Sequence, residues 1–271
     1  MIQDDKSHPM DAYTPAQIAV LVERGGVAKV GLAPAQTATL GVLAGAFIAF
    51  GAMFYTLTVT GSDLGFGPSR LLGGVAFSLG LILVLVGGAE LFTGNNLIVM
   101  AWAERKVTSW QLLRNWILVY LANFVGALGA AALFYLAGAL DLSGGAVGQT
   151  AARIAESKLS LDFSTAFFRG ILCNTLVCLA VWLSFAARSV AGKILAIIFP
   201  ISAFAALGFE HSVANMYLIP IGMLANGGGI DLAALLRNLL PVTLGNIVGG
   251  SGLVALTYWL VYLRNPPTED R

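Results

Sequence analysis

Gly88-Ala89-Glu90-Leu91-Phe92-Thr93-Gly94-Asn95 and Gly208-Phe209-Glu210-His211-Ser212-Val213-Ala214-Asn215 carry glycine, glutamate and asparagine at the same three places. Each stretch lies in the middle of a long apolar run. An ionisable group at such a depth in a bilayer costs about 2.5–3.5 kcal/mol on insertion scales. Meeting that cost twice, in the same register, calls for a structure that repays it. We expect each run to break there into two half-helices around a short turn, because irregular backbone at membrane depth is tolerated only where it is buried or lines a cavity. A half-helix that starts near the midplane aims its N–H groups and positive dipole end into that cavity, which suits an anion.

The flanking sequence extends the echo. Arg114-Asn115, Val119, Asn123, Val125 and Gly126 are repeated as Arg237-Asn238, Val242, Asn246, Val248 and Gly249. Between the first and fourth apolar runs the likeness shrinks to Gly41-Val42-Leu43 against Gly170-Ile171-Leu172. Runs of roughly 20 apolar residues mark membrane-spanning helices, and six are expected: Ala35–Thr60, Arg70–Met100, Trp110–Leu140, Phe163–Ala187, Lys193–Met223 and Leu239–Leu263. Three runs per repeat is an odd number, so the halves must insert in opposite directions. The expected fold is therefore all-α, with six transmembrane helices in two inverted three-helix repeats and the second and fifth helices broken. Folds of that kind hold their sites near the midplane, between the repeats.

Composition agrees. The 271 residues are 58% hydrophobic and 11% charged, where a soluble domain carries about 25% charged residues. A net charge of +1 leaves no basic stripe for nucleic acid. No apolar stretch in residues 1–34 forms a cleavable signal peptide. Cys173 and Cys178 point to different sides of one helix, which argues for two buried free thiols rather than a disulfide. Lys6, Arg24, Lys29, Arg105, Lys106, Arg114, Arg188, Lys193, Arg264 and Arg271 fall on one side of the expected membrane, against Arg70, Arg153, Lys158, Arg169 and Arg237 on the other. By the positive-inside rule both termini are cytoplasmic. Trp102, Trp110, Trp116, Tyr258, Trp259 and Tyr262 gather on the same side, as interfacial aromatics do.

Thr14-Pro15-Ala16-Gln17 reads as a helix start, with a threonine cap, proline in the first turn and glutamine three residues after the cap. Ile18, Leu21 and Val22 share one face of that helix, which is expected on the cytoplasmic surface. The chain divides into an N-terminal segment (1–34), a transport unit (35–265) and a C-terminal tail (266–271).

His211 is the one histidine in the apolar part, His8 lying in the polar N-terminal segment. Imidazole changes charge near neutral pH, so His211 can hydrogen-bond an anion or hand it a proton. Glu90 and Glu210 suit either a structural task, pinning the broken helices, or substrate contact, and Glu210 is counted with His211, Thr93, Asn174 and Asn215 on the substrate path. Asn95 and Asn215 either cap the second half-helices or orient His211. Thr93 offers a hydroxyl opposite the histidine, and Asn174 is either interhelical glue or a pore-lining donor. No His/Asp/Cys cluster, HExxH or nucleotide-binding glycine motif supports catalysis, and no cofactor is called for. Paired Asn-Pro-Ala motifs, which a water or glycerol pore of the aquaporin type would need, are missing.

Phe77-Ser78-Leu79-Gly80-Leu81, Ala89-Glu90-Leu91-Phe92-Thr93, Asn174 with Val177-Cys178-Leu179-Ala180, and Gly208 through Met216 together resemble the formate/nitrite transporter family, most closely its formate channels. The likeness runs from about Gly25 to Asn265. It implies an aquaporin-like fold assembled as a homopentamer in the inner membrane, with one pore per protomer for a small monovalent anion. Formate is the first expectation, with nitrite or hydrosulfide as alternatives, because Glu90 stands where formate members often have Asp. The resemblance further implies a central His211 faced by Thr93 and Asn174. Phe77 and Phe204 would form one constriction; Leu81, Leu91 and Val177 would form the other. Lys158 would be the vestibule lysine. Gating would involve a loop at Leu91–Leu97 and the helix at about Pro15–Lys29.

Overall fold

The computed structural model describes residues 12–264, and all regular structure in them is helical. His8, Lys6, Arg271 and the tail at 266–271 lie outside the described residues. Helix α1 (Pro15–Val30) opens on the expected capping box: Thr14 N–H donates to Gln17 Oε1 at 2.9 Å, and Gln17 N–H donates to Thr14 Oγ1 at 3.4 Å. Next come α2 (Pro34–Val59) and α3 (Phe66–Gly87). The chain then turns through residues 88–91 into α4 (Phe92–Asn95), a 3-10 turn (Asn96–Ile98) and α5 (Val99–Ala103). Helix α6 (Ser109–Leu136) completes the first half.

The second half holds α7 (Ala146–Leu159), α8 (Phe163–Ala186), α9 (Val190–Ala206), α10 (Ser212–Ala225) and α11 (Leu232–Ile247). The last of these continues in wider π-helical turns, so that Leu232–Arg264 forms one 33-residue rod. Among the described residues five helices are long and apolar enough to cross a membrane: α2, α3, α6, α8 and the rod that begins with α11. Helices α9 and α10 are apolar but shorter. The protein is a membrane protein, and its outward faces carry large apolar side chains such as Phe50, Leu133, Leu136 and Phe199.

Several elements differ from expectation. The last span was expected from Leu239; it starts at Leu232, because Asp231 Oδ1 accepts the Ala234 N–H at 3.0 Å and so caps the helix before the apolar run begins. Helix α6 stops at Leu136 instead of Leu140. The expected loop at Leu91–Leu97 is helical from Phe92 onward, and the irregular backbone lies one step earlier, at 88–91. Helix α7 was not anticipated; it buries Val147, Ala151, Ala152 and Ala155 along one face and packs on α10.

Both breaks open on a glycine in the left-handed region, Gly88 at φ 82° and Gly208 at φ 71°. Only glycine occupies that region at low cost, which explains why the motif repeats it. Helix α2 packs on α3 and α6, and α8 packs on α9 and α11. The α2–α6 and α8–α11 contacts are glycine-made. A Cβ at Gly126 would strike the Val42 carbonyl, and one at Gly245 would strike the Phe167 carbonyl. Helix α1 does more than rest on a surface. Ile18, Ala19 and Val22 are buried against Leu97–Ala101, and buried Glu23 accepts two bonds from Lys106 Nζ at 2.7 and 2.8 Å.

Candidate functional site

The two breaks are braced by the same hydrogen bonds. Asn123 Nδ2 donates to the carbonyls of Gly41 (2.7 Å) and Glu90 (2.9 Å), while its Oδ1 accepts the Phe92 N–H at 2.9 Å. In the other half Asn246 Nδ2 donates to the carbonyls of Gly170 (2.9 Å) and Glu210 (2.9 Å), and its Oδ1 accepts the Ser212 N–H at 2.9 Å. The faint likeness between Gly41 and Gly170 thus marks the carbonyl that each asparagine grips. These bonds satisfy the backbone groups that a broken helix exposes. They also consume the first N–H of each half-helix, which had been expected to face an anion.

The glutamates are held symmetrically as well. Glu90 accepts from Lys29 Nζ at 2.6 Å and from Asn95 Nδ2 at 2.7 Å; Glu210 accepts from Lys158 Nζ at 2.9 Å and from Asn215 Nδ2 at 2.6 Å. Asn95 and Asn215 each give their second proton to Asn115 or Asn238. Their side-chain amides therefore neither cap a half-helix nor bond the His211 ring. Glu90 and Glu210 are 5% and 2% exposed, so a paired cation is what makes them tolerable there. Nothing in the sequence singled out Lys29: it stands 61 residues from its partner, in a helix that had only been assigned to a surface.

His211 is the N-cap of α10, and its Nδ1 accepts the Ala214 N–H at 3.0 Å. An Nδ1 that accepts carries no proton, so the ring is the Nε2–H tautomer. That Nε2–H meets Thr93 Oγ1 at 3.0 Å, bringing together the two residues that the sequence set opposite one another. The Phe204 ring stacks on the imidazole with centroids 5.9 Å apart, and Phe77 meets Phe204 edge-on at 5.3 Å. Leu81, Leu91 and Val177 are all buried, in the same apolar cluster as the two phenylalanines. Among the described residues no hydrogen bond joins the Asn174 side chain to the histidine. Asn174 Nδ2 lies within 2.7–3.3 Å of the Asn246 carbonyl, Asn96 Oδ1 and the Thr93 carbonyl, which is the interhelical role. Cys173 and Cys178 are free and buried. Ser212 Oγ and Asn215 Oδ1 are buried without a hydrogen-bond partner among the described residues.

A cavity of about 130 Å³ opens onto this centre, lined by His211, Phe77, Phe204 and Lys158 together with Arg70 and Arg169. A separate space around Lys29 and Arg114 holds only about 10 Å³.

The sequence pattern of the formate/nitrite transporter family matches residues 16–260. The chain belongs to that family. Among formate/nitrite transporter relatives it is 41% identical over 276 residues to the formate channel FocA of Escherichia coli (strain K12), covering 95% of this chain and 97% of that protein. It is 39% identical to a probable formate transporter of Methanothermobacter thermautotrophicus, with 96% and 98% covered. The fold matches a solved pentameric formate channel with formate bound at a TM-score of 0.78, with 39% identity over 85% of this chain and 98% of that one. It also matches an FNT family ion channel at a TM-score of 0.81, with 29% identity over 90% and 98%.

Proposed function

We propose that this chain forms a pore for small monovalent anions with formate as its main substrate, nitrite or hydrosulfide being the alternatives within the family. One observation carries the reading: a single cavity is lined by Lys158, the edge-on pair Phe77 and Phe204, and His211, whose Nε2–H bonds the Thr93 hydroxyl. The relatives named for formate support the choice of substrate. Residues 35–265 act as the transport unit, with α9 and α10 joining as the fifth of six crossings and the two braced breaks meeting between inverted halves. The matching bonds of Asn123 and Asn246 support that two-fold relation. Assembly is a homopentamer in the inner membrane, both termini cytoplasmic.

In this reading cations at the mouth draw the anion in, and it loses water at the aromatic contact, where a bare charge is disfavoured. His211 Nε2–H and the Thr93 hydroxyl then take over the hydrogen bonds of water. To hand over a proton the imidazole must first be charged, and it gains that proton at Nδ1 by releasing the Ala214 N–H. Proton sharing is thereby tied to a small movement of the α10 cap. Leu81, Leu91 and Val177 close the passage beyond. The test is uptake of labelled formate into proteoliposomes across an imposed pH gradient. His211→Phe is expected to abolish the dependence of uptake on the gradient, and unchanged proton-coupled formate uptake in that variant would refute the assignment.

A further inference from the structure

Three cations line the cavity next to His211, yet only one of them has a carboxylate. Lys158 is paired with Glu210 at 2.9 Å and is 12% exposed in its side chain, so much of its charge is already neutralised. Arg70 and Arg169 have no acidic partner among the described residues. Arg70 is held in place rather than loose: Nε donates to the Ala206 carbonyl at 2.8 Å and Nη1 donates to the Tyr55 hydroxyl at 2.9 Å. Those bonds aim its Nη2 over Gly208, where a Cβ would come within 2.7 Å. The glycine of the second break therefore leaves room for a guanidinium edge three residues before His211. Arg169 is exposed and makes no side-chain hydrogen bond among the described residues. The Lys29 end of the protein has no comparable space.

A guanidinium differs from an ammonium in presenting a planar fork of donors that matches two oxygens on one atom. We propose that Arg70 and Arg169 form a dock for planar two-oxygen anions, carboxylate or nitrite, ahead of His211. This dock makes the pore prefer them to single-centre anions such as hydrosulfide or chloride. The proposal rests on the anion-pore reading and adds a specificity element to it.

The experiment reads half-saturation concentrations for formate, nitrite and hydrosulfide uptake into proteoliposomes holding the full-length protein. Arg169→Lys keeps the charge and removes the fork. It is expected to raise the values for formate and nitrite about tenfold, the scale of one charge-assisted hydrogen bond, and to leave hydrosulfide unchanged. Arg169→Gln, which also removes the charge, is expected to raise all three. Arg70→Lys is expected to repeat the selective pattern. Because the Arg169 side chain makes no hydrogen bond among the described residues, and its backbone bond to the Glu210 N–H survives substitution, its variants decide the matter even if Arg70→Lys does not fold. Equal shifts for all three anions in Arg169→Lys, or no shift, would overturn the dock while wild-type formate uptake still upheld the pore. Absence of formate, nitrite and hydrosulfide uptake by the wild type would overturn both.

Discussion

The hydroxyls of Tyr120 and Thr243 lie 2.8 Å apart, joining α6 to α11 across 123 positions of sequence. That offset is the one that carries Arg114-Asn115 onto Arg237-Asn238 and Asn123 onto Asn246. Each of the two residues is therefore the counterpart of the other, and they touch. Residues related by a two-fold operation meet only beside its axis, so this bond supports the inverted relation proposed for the halves. Tyr120 also meets Phe92 edge-on at 4.9 Å, one residue before Thr93.

Removing either hydroxyl is expected to cost about 0.6–1.5 kcal/mol, the range for a polar contact between membrane helices. Tyr120→Phe and Thr243→Val should each destabilise to that extent in reversible detergent unfolding. The double variant should cost little more than either single one, since both remove the same bond. Additive losses would mean that the hydroxyls act separately.

Asn123→Ala and Asn246→Ala are expected to do far more damage. Each deletes three buried bonds and strands one carbonyl and one N–H at its break, Glu90 and Phe92 or Glu210 and Ser212. A stranded buried group costs about 1–3 kcal/mol, so a loss of 3 kcal/mol or more is expected. Yield of folded, monodisperse protein after extraction is the measurement, and both variants should fall together.

At Thr93 the hydroxyl alone is at issue. Thr93→Val keeps the shape and removes the partner of His211 Nε2. Formate uptake should fall by roughly tenfold, the value of about 1.4 kcal/mol. Thr93→Ser should restore most of it.

Asp162 gives a pH test outside the membrane spans. It caps α8: Oδ1 accepts the Thr165 N–H and Oδ2 accepts the Thr165 hydroxyl, both at 2.8 Å. The Thr165 backbone N–H, and next its hydroxyl, hold this carboxyl below the usual carboxylate range. A lowered folded-state value means the cap stabilises fully above the unfolded value of about 3.9 and fades as pH falls through the folded one. Asp162→Ala should therefore lower the Tm at pH 7, and the gap from wild type should close below about pH 3.9.

The breaks and the Thr93–His211 pairing were legible in the sequence because an acid in an apolar run leaves few structural options, and here it occurs twice. The cap at Thr14 was legible because Thr-Pro-Ala-Gln is a complete local signal for a helix start. Helix α7 was missed because its 14 residues include Arg153, Glu156 and Lys158, so no run of membrane length announced it. Its buried positions at Val147, Ala151 and Ala155 have helical spacing, which a search at shorter length would have found. The roles of Asn123 and Asn246 were hidden differently. Their echo was visible, but only the folded chain brings them against carbonyls 33 to 82 residues away. Asn174 and Asn215 had been given to the substrate path because polar residues in apolar runs attract that reading; the fold spends their amide protons on its own framework.

In each half the lysine is synthesised before the glutamate it neutralises: Lys29 leads Glu90 by 61 residues, and Lys158 leads Glu210 by 52. When either acid leaves the ribosome, its counter-ion has already been delivered. The order of translation thus makes each counter-ion part of the chain before its acid exists, an order that a rearranged gene encoding the acid first would reverse.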